Sequence, residues 1–410
     1  MSETTATLIR PIGRAVTLVA FVGAWLGTAA LLWRTSVPSL DLGGFDEHRY
    51  FNARSLDRAH DYSQGSRLIW LLGTVATIAA LVVLTRRLPR HVQAIGLGRI
   101  GSALIVGMVV LVTLWFVGLP FGLASLWWQH HWDLAPFDPL AWLNAQRYAL
   151  GASVGFAMLT IVVVVGLAGR FGRRWWIPAA PFFVVVGALF AFVSGWVYAA
   201  GTHRIGDPQL RADVARIERA EHVEGTPVHV QDVSDWTDQA NAFAVGFGPS
   251  TNVVLWDTLL DERFTRGEVK AVVAHELGHV KSRHILKGLV WFALFALPGA
   301  FVIAELTRRR GGLEDPVNLP YAVLVLTVIG LLAAPFTNVV SRRYEAEADW
   351  RSLNATHDPA STRRLFQSFE RTSLEEPDPP LWDYLWLETH PTLMQRIAMA
   401  ERFEERQTPR

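Results

Sequence analysis

The residues best suited to chemistry form the run His275-Glu276-Leu277-Gly278-His279. If this run is helical, the two histidines lie about 40° apart and one turn along the axis, so both imidazoles can bind one metal ion. Glu276 is turned by about 100° from His275, so its carboxylate can reach a water molecule on the metal without becoming a ligand. The pattern therefore predicts a zinc ion that acidifies water and polarises a carbonyl, with Glu276 as the base.

A catalytic zinc site needs a third protein ligand. The class that takes a histidine six residues beyond the motif is excluded, because Ile285 stands there. On a continuous helix His284 lies opposite His275, so we expect a capping or packing role for it. Glu345 is the better candidate, since Asp349 follows on the same helix face and can hydrogen-bond a ligand histidine. Glu347 points elsewhere and receives no predicted role.

Local signals predict the elements that carry these residues. Thr265 and Glu268 form a capping box that starts a helix. We expect that helix to run through residue 284 and to continue into the next membrane span. Residues 241–246 and 252–256 flank a Gly-Pro-Ser turn, which predicts a β-hairpin.

Seven charge-free stretches are long enough to cross the hydrocarbon core of a bilayer as helices. They lie at about 15–33, 68–85, 102–126, 150–169, 177–201, 288–304 and 319–340. The protein is 51% hydrophobic and 18% charged, whereas an average soluble domain is about 25% charged. None of the seven stretches carries Asp, Glu, Lys, Arg or His, which argues against an ion- or proton-coupled transporter.

These stretches divide the chain into two predicted parts. Residues 1–201 form a membrane region with five spans and with loops at 34–67 and 127–149, and residues 202–410 form a catalytic domain interrupted by the last two spans. The predicted fold class is a multi-pass α-helical membrane protein with a mainly α zincin-like catalytic domain that carries a small antiparallel β-sheet. The net charge of +1 gives no electrostatic case for a nucleic-acid partner, and the absence of cysteine excludes disulfides and thiolate ligands.

Four groups of motifs, taken in chain order, resemble the CAAX prenyl endopeptidase family, membrane zinc peptidases that also include the bacterial HtpX-like heat-shock proteases. They are Asn241-Ala242-Phe243-Ala244-Val245-Gly246 with Val254-Leu255-Trp256-Asp257-Thr258-Leu259-Leu260, the run 275–279, Glu345 with Ala348-Asp349, and Thr389-His390-Pro391-Thr392 with Arg396 and Ile397. The resemblance is strongest over 203–400. Seven spans, with the histidine motif before the sixth and the glutamate after the seventh, resemble the CAAX-protease branch more than the four-span HtpX branch.

The resemblance implies one zinc ion per chain and several roles that spacing alone does not give. Asn241, Ala242 and Phe243 would belong to an edge strand that pairs with an extended peptide. His390 and Arg396 would lie near the zinc and stabilise the oxyanion or position the substrate. The implied substrate is a peptide segment near the membrane, either the C-terminus of a lipidated (CAAX-type) protein or a membrane protein under quality control. No nucleic acid and no nucleotide cofactor are expected.

We expect a multi-pass protein of the cell membrane, and its orientation stays open. Arginines in the short loops favour a cytoplasmic N-terminus, and seven spans then place the catalytic domain outside, whereas the resemblance implies a cytosolic catalytic side. Two other functions are a transporter or channel with a structural zinc site and a non-catalytic zinc scaffold or sensor. The charge-free spans disfavour the first. A base adjacent to a metal ligand disfavours the second, because a scaffold has no use for it.

Overall fold

The computed structural model describes residues 19–44, 46–88, 97–235 and 237–407. Its helices are α1 Val19–Leu32, α2 Ala53–Arg87, α3 Gly98–His131, α4 Pro139–Phe171, α5 Trp176–Ala199, α6 Pro208–Glu221, α7 Arg266–Ser282, α8 His284–Arg308, α9 Leu319–Thr356, α10 Pro359–Ser373, α11 Leu381–Trp386 and α12 Leu393–Gln407. Its strands are β1 His203–Arg204, β2 Val228–Gln231, β3 Ala242–Val245 and β4 Asn252–Trp256.

Within the described residues, six helices are long and apolar enough to cross a membrane, in the regions of α2, α3, α4, α5, α8 and α9. They confirm six of the seven predicted spans. The first predicted span, about 15–33, extends beyond the described residues, and its described part is the shorter apolar helix α1. The chain is therefore a multi-pass helical membrane protein, as the charge-free stretches predict.

The segments predicted as loops at 34–67 and 127–149 are partly helical. The helix α2 already begins at Ala53, α3 continues to His131, and α4 begins at Pro139. A charged residue ends an apolar run without ending the helix, because a helix that projects into water carries polar residues on its exposed turns. The spans are thus parts of longer helices. Residues 33–52 connect α1 to α2, and residues 132–138 connect α3 to α4.

The six long helices form a ring in which each contacts the next, in the order α2, α3, α4, α5, α8, α9 and back to α2. Buried apolar side chains fill one end of this ring. They include Leu81, Ala103, Val106, Val165, Trp175, Ala179, Ala304 and Leu319. Since the chain leaves α5 and enters α8 at the opposite end, the segments predicted to be catalytic lie at the end away from this apolar cluster.

A four-stranded sheet lies at the catalytic end, in the order β1-β2-β4-β3. The predicted hairpin is present, since β3 and β4 pair antiparallel. The sheet is mixed, however, because β2 and β4 pair in parallel, and this corrects the predicted antiparallel sheet. The strand β4 inserts between β2 and β3, an arrangement that a hairpin signal cannot reveal because it depends on a longer crossover.

The helix α7 lies at the centre of the catalytic part, where it packs against α6, α9 and α10. Its buried side chains Val273 and Leu277 belong to an apolar core that also contains Leu393 and Ile397 of α12. The predicted continuation of α7 into the next span is wrong. The helix ends at Ser282, Arg283 takes a left-handed conformation with φ 54°, and α8 begins at residue 284.

Candidate active site

The histidine motif and the acidic segment meet because α7 packs against α9. At the start of α7, Thr265 and Glu268 form the predicted capping box, in which each side chain accepts a hydrogen bond from the other residue's backbone N–H. Inside the motif, Gly278 faces α9, and a Cβ there would lie 3.3 Å from the backbone oxygen of Ala348. The missing side chain lets the two helices approach closely, which brings their ligand residues together.

Three side chains from the two helices offer ligand atoms that lie within 4.8 Å of one another: His275, His279 and Glu345. The Nε2 atoms of the two histidines are 3.0 Å apart. Oε2 of Glu345 lies 3.1 Å from Nε2 of His275 and 3.4 Å from Nε2 of His279. Atoms bound to one zinc ion at about 2.0–2.1 Å in tetrahedral geometry are separated by about 3.3 Å. The donor set and its spacing therefore fit a zinc ion.

Asp349 lies one turn beyond Glu345 and faces the other ring nitrogen of His275. Its Oδ1 lies 2.8 Å from Nδ1 of His275, and Arg396 of α12 donates two hydrogen bonds of 2.8 Å to the same carboxylate. Asp349 and Arg396 are buried, with 3% and 8% of their surface exposed. Burial disfavours the imidazolium form, yet the hydrogen bonds to Asp349 and Glu345 outweigh it and raise the pKa of His275 to about 10.

His390 stands at the mouth of the site, in the segment before α12. Its Nε2 lies 3.3 Å from Oε2 of Glu345, and its Nδ1 lies 3.1 Å from the hydroxyl of Thr389. The ring is half-exposed, but the surrounding protein desolvates it enough to lower its pKa below that of a free histidine. The lowered pKa favours the neutral imidazole form of His390, beside the carboxylate of Glu345.

Glu276 shares a pocket of about 100 Å³ with His275, His390 and Arg396. Its side chain is largely buried, with 8% of the residue exposed. Much of the remaining wall is apolar and comes from Leu259, Val272, Leu365, Phe366 and Phe369. A pocket with one candidate metal ligand, a carboxylate and an apolar wall can hold a peptide bond next to an apolar side chain.

The residues expected to bind substrate lie at the rim of this pocket. Asn241 and Ala242 line it directly. The side chain of Asn241 accepts a hydrogen bond of 2.8 Å from the N–H of Ala242. The ring of Phe243 packs edge-on against Tyr198 of α5, with centroids 5.3 Å apart. The rim thus contacts the membrane helices on one side and the pocket on the other.

The strand β3 stands at the end of the sheet order, so within the described residues it pairs with β4 alone. The N–H of Trp256 donates to the carbonyl oxygen of Asn241 at 3.0 Å, which makes these two residues a hydrogen-bonded pair. Because such pairs alternate along an antiparallel ladder, the N–H and C=O of Ala244 point to the free edge. An extended peptide could add to this edge.

The structure gives His284 and Glu347 contacts that the sequence did not predict. Nδ1 of His284 lies 2.9 Å from Nδ1 of His279, and Nε2 of His284 lies 3.1 Å from Oε2 of Glu347. The prediction assumed a continuous helix, whereas the left-handed turn at Arg283 directs His284 back towards the motif. Helix ends of this kind are usually marked by glycine. An arginine there leaves no sequence signal for the break.

Comparisons with known proteins agree with this geometry. Residues 205–404 match the model of peptidase family M48. The chain is 26% identical over 278 residues to the uncharacterized metalloprotease YhfN of Bacillus subtilis (strain 168), a match that covers 64% of this chain and 65% of YhfN. It is 30% identical over 181 residues to a CAAX prenyl protease 1 homolog of Oryza sativa subsp. japonica, covering 42% of each. These matches span less than two thirds of either relative's own length.

A solved structure is similar in fold to nearly the whole chain. The crystal structure of S. mikatae Ste24p matches with a TM-score of 0.71 at 16% sequence identity, covering 92% of this chain and 96% of that one. The membrane helices and the catalytic segments thus share one known architecture. The matched segment 205–404 also contains the histidine motif, the acidic segment of α9 and the segment with His390 and Arg396. On this evidence residues 205–404, the part of the chain that carries the candidate site, match peptidase family M48.

Proposed function

We propose that this protein is an integral-membrane zinc endopeptidase that hydrolyses peptide bonds of membrane-associated proteins. The observation that carries the proposal is the meeting of two histidines and Glu345 at zinc-ligand spacing, in a site shared with Glu276. We further propose that residues 202–410 are the metallopeptidase domain, interrupted by α8 and α9, and that residues 1–201 are the membrane region.

In this mechanism His275, His279 and Glu345 would hold one zinc ion per chain. Bound there, zinc would supply Lewis acidity, which polarises a peptide carbonyl and acidifies water. Glu276 accepts the proton of the attacking water on its carboxylate and passes it to the leaving amine. Its burial beside the apolar wall keeps competing bulk water away from this proton transfer.

His390 and Arg396 have different tasks in this proposal. If the hydroxyl of Thr389 donates to Nδ1 of His390, the ring proton sits on Nε2, where a neutral imidazole donates a hydrogen bond to the developing oxyanion. Nε and one terminal nitrogen of Arg396 donate to Asp349. We therefore assign Arg396 to the positioning of Asp349, which in turn orients His275.

The substrate is proposed to bind as an extended strand along β3, with Asn241, Ala242 and Phe243 at the rim of the pocket. Support comes from the free edge of β3 and from its position against α5. A cleft at the end of a ring of membrane helices suits a peptide segment held close to the bilayer. The CAAX prenyl protease name of one relative adds C-terminally lipidated proteins to the candidate substrates.

The test uses the detergent-purified full chain and its Glu276→Gln variant, with bound zinc and peptide cleavage measured side by side. Casein and a farnesylated C-terminal peptide serve as the two substrates. We expect about one zinc per chain in both proteins and cleavage by the wild type alone. Stoichiometric zinc in both with equal cleavage in both would refute the role of Glu276. A wild type without stoichiometric zinc would remove the whole mechanism.

A further inference from the structure

We propose that His284 and Glu347 are positioning residues that fix the ring of His279, so that its Nε2 atom is presented to the metal. This inference rests on the proposed zinc site. It starts from two contacts, 2.9 Å between Nδ1 of His279 and Nδ1 of His284, and 3.1 Å between Nε2 of His284 and Oε2 of Glu347. We call His279, His284 and Glu347 the histidine relay.

The direction of each hydrogen bond in the histidine relay follows from the chemistry of imidazole. A histidine that binds a metal through Nε2 carries its proton on Nδ1. Nδ1 of His279 must then donate, so Nδ1 of His284 accepts and carries no proton. The proton of a neutral His284 therefore sits on Nε2, where it is donated to the carboxylate of Glu347. One carboxylate thereby specifies the tautomer of two histidines in series.

Other contacts hold Glu347 in place. The backbone N–H of Ser36 donates to its Oε1 at 2.8 Å, and Nζ of Lys287 lies 3.4 Å from its Oε2. Glu347 is 3% exposed and His284 is 6% exposed. A buried carboxylate is costly unless it is paired and hydrogen-bonded, and Glu347 meets both conditions. Its charge is therefore maintained where the histidine relay needs an acceptor.

The ring of His284 is held by stacking as well as by hydrogen bonds. It lies parallel to the ring of Tyr344, with an interplanar angle of 8° and centroids 4.5 Å apart. The hydroxyl of Tyr344 donates to the carbonyl oxygen of Leu32 at 2.9 Å and accepts from the indole of Trp291 at 2.9 Å. The end of α1 therefore contacts Tyr344, the stacking partner of His284, through Leu32, and the segment after α1 contacts Glu347 through Ser36.

The histidine relay completes a symmetric support for the two ligand histidines. His275 is oriented by Asp349, which Arg396 anchors. His279 would otherwise have no partner of this kind in the described site, although ligand histidines almost always donate their second N–H to an acceptor. The neutral His284 supplies that acceptor through Nδ1, and its own N–H at Nε2 is donated to Glu347.

The test measures zinc affinity by competition with a chromogenic chelator on the detergent-purified full chain. His284→Gln keeps an acceptor for His279 and a donor for Glu347, whereas His284→Leu keeps the volume and removes both. We expect His284→Leu to bind zinc about 10–100-fold more weakly than the wild type, which is the usual loss for such partners. His284→Gln should stay within about threefold, and Glu347→Gln should lose about tenfold.

Glu221→Gln is the matched control, because Glu221 is similarly buried, at 4%, and pairs with Arg351 instead of a member of the histidine relay. Its zinc affinity should equal that of the wild type. Equal losses in His284→Gln and His284→Leu would show that His284 only fills space and would overturn the inference, as would wild-type affinity in His284→Leu. If His284→Leu does not fold, His284→Phe, which keeps an aromatic ring without its nitrogen atoms, replaces it with the same expected loss. A wild type without stoichiometric zinc would instead overturn the proposed function and this inference with it.

Discussion

Zinc binding should become tighter with rising pH well beyond the range expected for an ordinary histidine. The pKa of His275 in the metal-free site is raised to about 10, so between pH 6.5 and 8.5 this ring carries a proton that zinc must displace. Each pH unit then changes the dissociation constant tenfold, or about 1.4 kcal/mol. The affinity should therefore rise about 100-fold over these two units. A histidine with a pKa of about 6.5 would give only about a twofold rise.

The sign of this effect is fixed by the direction of the pKa shift. A folded-state pKa above the unfolded value means that the proton on His275 stabilises the metal-free fold. That stabilisation is fully present below about pH 6.5, where the unfolded chain is also protonated, and is lost as the pH rises towards 10. Zinc and the proton compete for the same ring, so acid favours the metal-free form and base favours the zinc form.

The assay is a zinc titration at pH 6.5, 7.5 and 8.5 against a chelator of known pH dependence, with proton release measured by calorimetry in buffers of different ionisation enthalpy. Asp349→Asn provides the comparison, because it removes one of the two carboxylates that hold the proton. Its affinity at pH 8.5 should be about 10–100-fold lower than that of the wild type, with a shallower pH dependence. A wild-type affinity that is constant above pH 7 would refute the reasoning.

Three further outcomes test other parts of the structure. Glu345→Gln should abolish stoichiometric zinc in a metal analysis, because it removes a ligand and its charge. Ala244→Pro should leave bound zinc unchanged and lower the cleavage rate at least about tenfold, because it removes the N–H that Ala244 directs to the free edge of β3. Unchanged cleavage would contradict strand addition. Gly246→Ala should lower the thermal midpoint of unfolding much more than Gly225→Ala, although both glycines have positive φ. The reason is steric: a Cβ at Gly246 would lie 2.1 Å from the carbonyl oxygen of Ser250, whereas a Cβ at Gly225 would meet nothing within 4 Å.

The parts of the site that could be predicted from sequence depend on short-range regularities. The spacing within the run 275–279 and between Glu345 and Asp349 is set by one or two helical turns, so residue numbers translate directly into faces. The capping box at Thr265 and the hairpin before β4 are equally local. Charge-free stretches locate the membrane spans because the bilayer, unlike a soluble core, imposes a minimum apolar length.

The parts that could not be predicted depend on how distant segments meet. The parallel pairing of β2 with β4 and the position of Arg396 against Asp349 both join residues that no local period relates. The sequence did not predict that α2 begins as early as Ala53, because polar residues in water are compatible with either a helix or a loop. In each case the deciding interaction is tertiary, and a sequence pattern constrains only one of its two partners.

The break at Arg283 shows how one backbone angle decides the chemistry around it. On a continuous helix the ring of His284 would be on the face opposite His275. A left-handed residue other than glycine costs on the order of 1 kcal/mol or more. Here it allows His284 to contact both His279 and Glu347, and two buried hydrogen bonds of this type offset that cost. The same turn separates α7 from the membrane helix α8. The backbone conformation of Arg283 therefore sets both the position of His284 beside His279 and the direction in which α8 leaves α7.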